Sequence, residues 1–139
     1  MELKLVIYGK PIPQGRPRFS RTGHAYDPQK SREYKDNVRL WVTQQIKGKG
    51  IQLYECALCV DLTFYVPIPT SWSKKRRMEA DAGIIRPTVR PDIDNLVKAV
   101  TDSCNNLLWK DDCFITDLHA RKRYTAGQAR VEMVVREVQ

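Results

Sequence analysis

The sequence lacks any apolar run of the roughly 20 residues that a membrane-spanning helix needs. Its first residues, 1–8, alternate like a β-strand and do not have the layout of a signal peptide. It also lacks a glycine-rich loop of the kind that cradles nucleotide phosphates. These absences predict a cytoplasmic protein that has no membrane partner and no small-molecule cofactor.

Histidine and cysteine, the usual zinc ligands, are scarce, with 2 and 4 copies. Cys56 and Cys59 have a C-x-x-C spacing, and with Cys104 and Cys113 they provide four possible thiolate ligands for zinc. However, the first pair lies within a predicted strand over residues 54–66, where a three-residue spacing points side chains to opposite faces. Buried, reduced thiols are therefore favoured over a zinc site.

Positive charge is unevenly distributed along the chain, whose net charge is +8. Residues 1–90 contain 17 Lys and Arg against 8 Asp and Glu, whereas residues 91–139 contain 7 against 8. A basic surface beside clustered acids suits a polyanion that must meet a metal ion. The charge alone is equally compatible with a basic protein that is merely soluble.

The most informative stretch is Arg90–Lys98, in which two carboxylates stand one residue apart. Pro91 favours extended backbone before it, and an extended D-x-D places Asp92 and Asp94 on one side of the chain. Asp94 is predicted to begin a helix, on which Lys98 and then Asp102 follow at four-residue intervals. Paired carboxylates of this kind suit Mg²⁺ or Mn²⁺.

A D-x-D pair is not specific by itself. It also occurs in glycosyltransferases and nucleotidyltransferases, although these need a nucleotide site that the chain does not show. In a purely structural interpretation, Asp94 caps the helix, Asp92 is solvated, and Lys98 forms an ion pair with Asp94 or Asp102. More acids, Asp111 and Asp112, follow a predicted turn at residues 105–106.

Residues 10–28 are rich in proline and glycine and are predicted to form a loop. Three arginines in this loop are interleaved with two aromatic residues, Phe19 and Tyr26. Arginine fits phosphates and aromatic rings stack on bases, so the loop is predicted to contact nucleic acid. The alternative is a solvated loop that Phe19 anchors to the core.

The remaining pattern predicts an α+β fold in a single domain over residues 1–139, with a mixed sheet of about four strands and two or three helices. A helix over 72–80, begun by Ser71, contains four consecutive cations, of which only part can face one partner because helical neighbours point about 100° apart. A terminal hairpin is predicted around Ala126 and Gly127. The other expected elements are a strand over 2–8, a helix over 29–47 and the strand over 54–66.

Residues 90–98 and 105–112 closely resemble the RusA family of Holliday junction resolvases, metal-dependent endodeoxyribonucleases of bacteria and their phages. Residues 114–124 continue the similarity, and the Gly15–Arg18 segment resembles the prophage branch of the family. The resemblance implies a small mixed fold, a homodimer, a requirement for Mg²⁺ or Mn²⁺, and paired cuts in branched, four-way DNA. Asn106 replaces a glycine that is common in this turn, and asparagine tolerates left-handed backbone.

On this resemblance, the family's metal-binding aspartates correspond to Asp92, Asp94 and Asp112, and its functional lysine corresponds to Lys98. The basic residues expected to contact DNA are Arg16, Arg18, Arg21, Lys74, Lys75, Arg76, Arg77 and Arg90. The competing hypothesis is a non-catalytic, structure-selective DNA-binding protein, in which the aspartates only cap the helix or face solvent. Metal-dependent cleavage of a branched DNA distinguishes the two.

Overall fold

A computed structural model describes residues 2–26 and 28–138, with the backbone only at Tyr26, whose predicted base-stacking side chain therefore lies outside the described part. The strands are β1 (Glu2–Tyr8), β2 (Arg18–Phe19), β3 (Ala25–Tyr26), β4 (Leu58–Pro67), β5 (Ile115–Thr125) and β6 (Arg130–Glu137). The helices are α1 (Gln29–Ile46), α2 (Lys74–Asp81) and α3 (Ile93–Ser103), followed by a 3-10 turn at Asp112–Phe114. The predicted α+β class is confirmed.

The main sheet is mixed and has four strands in the order β1-β6-β4-β5. Strand β4 is parallel to β5 and antiparallel to β6. The predicted terminal hairpin is therefore wrong, because β4 lies between the two strands that were expected to pair. The connection over residues 126–129 spans two strand spacings, roughly 10 Å. Turn residues show where the chain reverses direction, but they do not show that the strongly buried strand β4 lies between β5 and β6.

The parallel pair β4–β5 needs a long crossover, since parallel neighbours cannot be joined by a tight turn. This crossover comprises residues 68–114 and includes α2, α3 and the 3-10 turn. Asp92, Asp94, Lys98 and Asp112 all belong to it. The sheet thus serves as a scaffold, and one connection carries the candidate chemistry.

Helices α1 and α3 pack against each other and against the sheet. Tyr34 and Val38 are buried on the inner face of α1, and Leu96 and Val100 are the equivalent residues of α3. Arg39 of α1 donates from Nη1 to the Ser103 carbonyl at 3.1 Å, which satisfies a free carbonyl at the end of α3. In the described part of the chain, no helix is both long and apolar enough to cross a membrane.

Three elements begin at other residues than the sequence predicts. Helix α2 is capped by Ser73, whose hydroxyl accepts from the Arg76 N–H at 3.2 Å, and not by Ser71. Helix α3 begins one residue after Asp92, so Asp94 lies in its first turn instead of capping it. Strand β4 begins at Leu58, which leaves Cys56 outside it.

All four cysteines are free thiols, but Cys56 and Cys59 are half-buried and Cys113 is exposed, so the predicted burial holds for Cys104 alone among the four. No group of three or more His, Cys, Asp and Glu side chains within residues 2–26 and 28–138 is arranged to hold a metal ion. Cys104 is fully buried, and burial raises the pKa of its thiol to about 12. Inert core packing describes this residue better than zinc ligation.

The sheet face away from α1 and α3 carries a bidentate ion pair. Arg121 of β5 donates to the two carboxylate oxygens of Asp61 in β4 at 2.8 and 3.2 Å, and to the Thr63 hydroxyl at 2.7 Å. These hydrogen bonds hold the pKa of Asp61 below its usual value. The pair therefore stabilises the fold above the pKa of an unfolded aspartate and loses this effect as the pH falls.

We expect Asp61→Asn to lower the free energy of unfolding by about 1–2 kcal/mol at neutral pH, because it removes a charge-assisted bidentate contact. Both side chains are mostly shielded, with 27% and 28% of their surface exposed. The difference from the parent protein should be smaller at about pH 3, below the ordinary pKa of an aspartate, because the unfolded state takes up a proton there. Urea unfolding at both pH values measures this. Glu132→Gln, in a pair whose carboxylate is 42% exposed, is the control with a smaller effect. An Asp61→Asn effect of equal size at both pH values would contradict the prediction.

Candidate active site and nucleic-acid interface

Two exposed carboxylates mark the start of α3. Asp92 is the N-cap residue, with φ −72° and ψ 141°, and its side chain makes no capping hydrogen bond. Asp94 follows in the first turn, where its Oδ1 accepts from the Asn95 N–H at 3.0 Å. Negative charge is favourable at a helix N-terminus, so two aspartates are compatible with this position in the fold. Neither forms an ion pair with any described residue.

A groove of about 360 Å³ runs beside this helix start, and Lys10, Gln14, Arg90, Asp92 and Asn95 are among its lining residues. The Gln14 N–H donates to the Asn95 carbonyl at 2.9 Å, which ties the start of loop 10–28 to α3. The groove therefore combines an acid with two cations. Such a surface can accept a phosphate and bring it to a carboxylate-bound cation.

Lys122 of β5 positions the segment that precedes the two aspartates. Its Nζ donates to the carbonyls of Val89 and Pro91, both at 2.9 Å. The Arg90–Pro91 peptide bond between them is cis. No sequence signal indicates this role, because Lys122 is 30 positions or more from its partners. The contact is a tertiary one that strand alternation alone does not reveal.

Lys98 lies one turn after Asp94 on α3 and is exposed. Among the described residues it forms no ion pair with Asp94 or Asp102, so the structural interpretation of this lysine is not supported. Asp102 instead pairs with Lys35 of α1, with 4.0 Å between Nζ and Oδ2. The positive charge of Lys98 thus faces solvent on the helix that carries the acids.

A second acidic group lies at the other end of α3, where Asp112 contacts Asp102 and Asp111. Burial raises the pKa of Asp112, and hydrogen bonds with the two neighbouring carboxyls raise it further. The hydrogen bond from Asp112 lowers the pKa of the exposed Asp111, so Asp112 is the member of the pair that takes up a proton first. The repulsion between carboxylates that lie this close is reduced when one of them takes up a proton or when a cation binds between them.

The two acidic groups are about two helical turns apart, since the eight positions from Asp94 to Asp102 correspond to roughly 12 Å along the axis. Within the described residues, the carboxyl contacts of Asp112 are with Asp102 and Asp111, and no ready-made three-ligand site exists. The convergence of Asp92, Asp94 and Asp112 on one ion therefore stays a prediction. The donors nevertheless fit Mg²⁺, which is usually held by one or two carboxylates together with substrate phosphates.

The basic loop projects away from the core. Its three arginines are exposed, and Phe19 is 72% exposed, so the alternative in which Phe19 anchors the loop to the core is wrong. Residues 18–26 form a short hairpin from β2 and β3. The exposed arginines are Arg16, Arg18 and Arg21.

Only part of the α2 basic run is available to a partner, as the helical geometry predicts. The Arg76 guanidinium lies 3.8 Å from the centre of the Trp72 ring, and the Arg77 Nη1 donates to the Thr70 carbonyl at 3.5 Å. Lys74 and Lys75 are exposed. Arg90 is the predicted DNA-contacting residue that the structure places beside Asp92, through the shared groove.

Comparison with known proteins defines the class. A family model described as endodeoxyribonuclease RusA matches residues 8–136, nearly the whole chain. The chain belongs to the RusA family of endodeoxyribonucleases, as the motif resemblance predicted. It is 40% identical over 141 residues to YqaN of Bacillus subtilis (strain 168), an uncharacterized protein. That alignment covers 98% of this chain and 96% of YqaN.

Proposed function

We propose that this protein resolves four-way DNA junctions by metal-dependent hydrolysis of paired phosphodiester bonds, in DNA recombination and repair. Membership of the RusA family supports the reaction class. The observation that carries the proposal to named residues is the exposed Asp92–Asp94 pair beside a groove that also contains Arg90 and Lys10. This arrangement suits a strand of DNA whose phosphate must approach two carboxylates.

In the proposed mechanism, Asp92 and Asp94 would hold Mg²⁺ or Mn²⁺, and the predicted third ligand, Asp112, would have to approach them when the ion binds. A divalent ion bound there would polarise the phosphate and lower the pKa of a water ligand. Lys98 neutralises charge that develops on the phosphate during attack. Arg90 binds phosphate oxygens along the groove. Without a cation, the carboxylates repel DNA, so metal and DNA binding are expected to reinforce each other.

We further propose that the active form is a homodimer, because a pair of symmetric cuts needs two sites related by a two-fold axis. The two-fold axis of such a dimer matches that of a four-way junction. In this proposal the enzyme is cytoplasmic and of bacterial, prophage-encoded origin, and it needs no small-molecule cofactor. Analytical ultracentrifugation across a range of protein concentrations tests the dimer.

The second candidate function is structure-selective DNA binding without cleavage. The position of Asp92 at the N-cap of α3 favours it, since negative charge there is also explained by the helix dipole alone, without a capping hydrogen bond. This hypothesis predicts strong, salt-sensitive DNA binding and no cutting with any metal. It does not explain why two exposed carboxylates, which repel DNA, lie beside a groove lined by Lys10 and Arg90.

Incubation with an end-labelled four-way junction, a flap and a linear duplex tests the proposed function. We expect symmetric nicks in the junction with Mg²⁺, and a rate lowered roughly a thousandfold when the divalent ion is chelated. The linear duplex of the same sequence is the control substrate. Junction binding without any cleavage in Mg²⁺ or Mn²⁺ would favour the second candidate.

A further inference from the structure

The β2–β3 hairpin is a preorganised arm. Its turn is closed by its own hydrogen bonds: the Ser20 N–H donates to the His24 carbonyl at 2.9 Å, and the Gly23 N–H donates to the Ser20 carbonyl at 3.0 Å. Gly23 has φ +84°, a left-handed conformation that favours glycine. The hairpin therefore presents Phe19 from a defined backbone.

Phe19 is an unusual exposed apolar residue because of its electrostatic surroundings. Single exposed apolar side chains are common, but this ring belongs to a short exposed segment that also contains three exposed arginines. No Asp or Glu occurs between Gly9 and Tyr26. Within the described residues, none of the three arginines forms an ion pair. An uncompensated positive surface around an aromatic ring is complementary to a nucleic acid that offers both phosphates and an accessible base.

The root of the arm is fixed to two helices, α1 and the aspartate-bearing α3. The Gly15 N–H donates to the Ser31 hydroxyl at 2.7 Å, and a Cβ added at Gly15 would lie 2.8 Å from Pro28 and Ser31, so only glycine fits there. One residue earlier, Gln14 bonds Asn95 at the start of α3. Phe19 is five residues beyond Gln14, so it lies within about 17 Å of that anchor even if the chain is fully extended.

Two hollows of about 500 Å³ each adjoin at the base of the arm. They share Arg18, Pro28 and Lys30 as lining residues. Cations beside apolar proline walls suit a nucleotide, whose phosphate needs charge and whose base needs an apolar surface. The surface at the base of the arm, one residue before Phe19, therefore suits a single nucleic-acid strand rather than a protein partner.

We propose that Phe19 is a wedge that stacks on a base at the branch point of the junction, while Arg18 and Arg21 hold the adjacent phosphates. This inference rests on the proposed function and deepens it, because it assigns the recognition of branched over linear DNA to one side chain. Bases at a branch point have lost part of their stacking, so inserting an aromatic ring there costs less than in a continuous duplex. The anchored root then places the branch near Asp92 and Asp94.

Binding measured in an Asp94→Asn background, which should not cut, tests the wedge separately from catalysis. The probes are a four-way junction with 2-aminopurine at the branch and a linear duplex of the same sequence. We expect Phe19→Ala to weaken junction binding by about fivefold to a hundredfold and to abolish the fluorescence change at the branch. Duplex affinity should change less than about twofold, because backbone contacts dominate there. Phe19→Trp should retain both junction signals.

Ile84→Ala is the matched control, since Ile84 is 71% exposed but lies outside the basic arm. It should leave both DNA affinities unchanged. Equal losses on junction and duplex, no loss on either, or a fluorescence change that survives in Phe19→Ala would each overturn the wedge. A parent protein that binds and unstacks the branch but never cuts would instead refute the proposed function, and the two failures are thus distinguishable.

Discussion

Replacing Asp94 with Asn should lower the rate of junction cleavage roughly a thousandfold, while junction binding stays within a few-fold of the parent protein. The asparagine keeps the size and one carbonyl oxygen of the aspartate but removes the charge that a cation needs. Among the described residues, the carboxylate of Asp94 has one hydrogen bond, which it accepts from the Asn95 N–H, and the asparagine oxygen can still accept it. The fold should therefore be preserved.

Single-turnover cleavage of a labelled junction, together with a binding assay, measures both quantities. Asp117→Asn is the matched control: it removes the same charge from an exposed position on β5 and should leave cleavage unchanged. Asp112→Asn, tested in parallel, asks whether the second acidic group takes part, and we expect a loss similar to that of Asp94→Asn. Cleavage by Asp94→Asn at the parental rate would refute the assignment of this residue.

Replacing Trp109 with Ala should lower the free energy of unfolding by about 3–5 kcal/mol. Trp109 is fully buried, and its indole N–H donates to the Asn105 Oδ1 at 2.9 Å. The substitution leaves a large cavity and removes the hydrogen bond at once. A loss of this size is a large part of the total stability of a small domain, which is about 5–15 kcal/mol.

The same tryptophan supports the turn that leads to the second acidic group. The Asn106 N–H donates to the Trp109 carbonyl at 2.7 Å, and Asn106 adopts the left-handed backbone (φ 62°) that the sequence predicts for this turn. Urea unfolding followed by circular dichroism measures the effect. Trp109→Phe, which keeps most of the buried ring, is the control and should cost clearly less. An unchanged unfolding midpoint for Trp109→Ala would contradict the described core.

Periodicity predicted the helices well because burial of one face determines them. The inner residues of α1 and α3 repeat at helical spacing, and Val38, Leu96 and Val100 are buried as expected. The order of the strands could not be predicted in the same way. Sequence signals place the reversal near Ala126 and Gly127, but which strands become neighbours depends on long-range packing around β4.

The candidate site likewise combines local features, which the sequence reveals, with long-range contacts, which it does not reveal. The motif around Asp92, Asp94 and Lys98 is local in sequence, so residue types and spacing reveal it. The contributions of Lys10 and Lys122 are not local, because each reaches the site from a distant strand or loop. The partnership of Asp112 with Asp102 also depends on the tertiary fold. These contacts follow from the assembled chain rather than from any short pattern.

The crossover between β4 and β5 also bears on when the protein becomes active. Closing a segment as long as residues 68–114 costs chain entropy that only later contacts repay, so we expect this pairing to form late in folding. The segment contains every residue assigned to the chemistry, whereas the basic arm precedes it in the chain. A newly synthesised molecule would then be able to bind nucleic acid before it is able to cleave it. Cleavage activity would appear only when the native structure is complete.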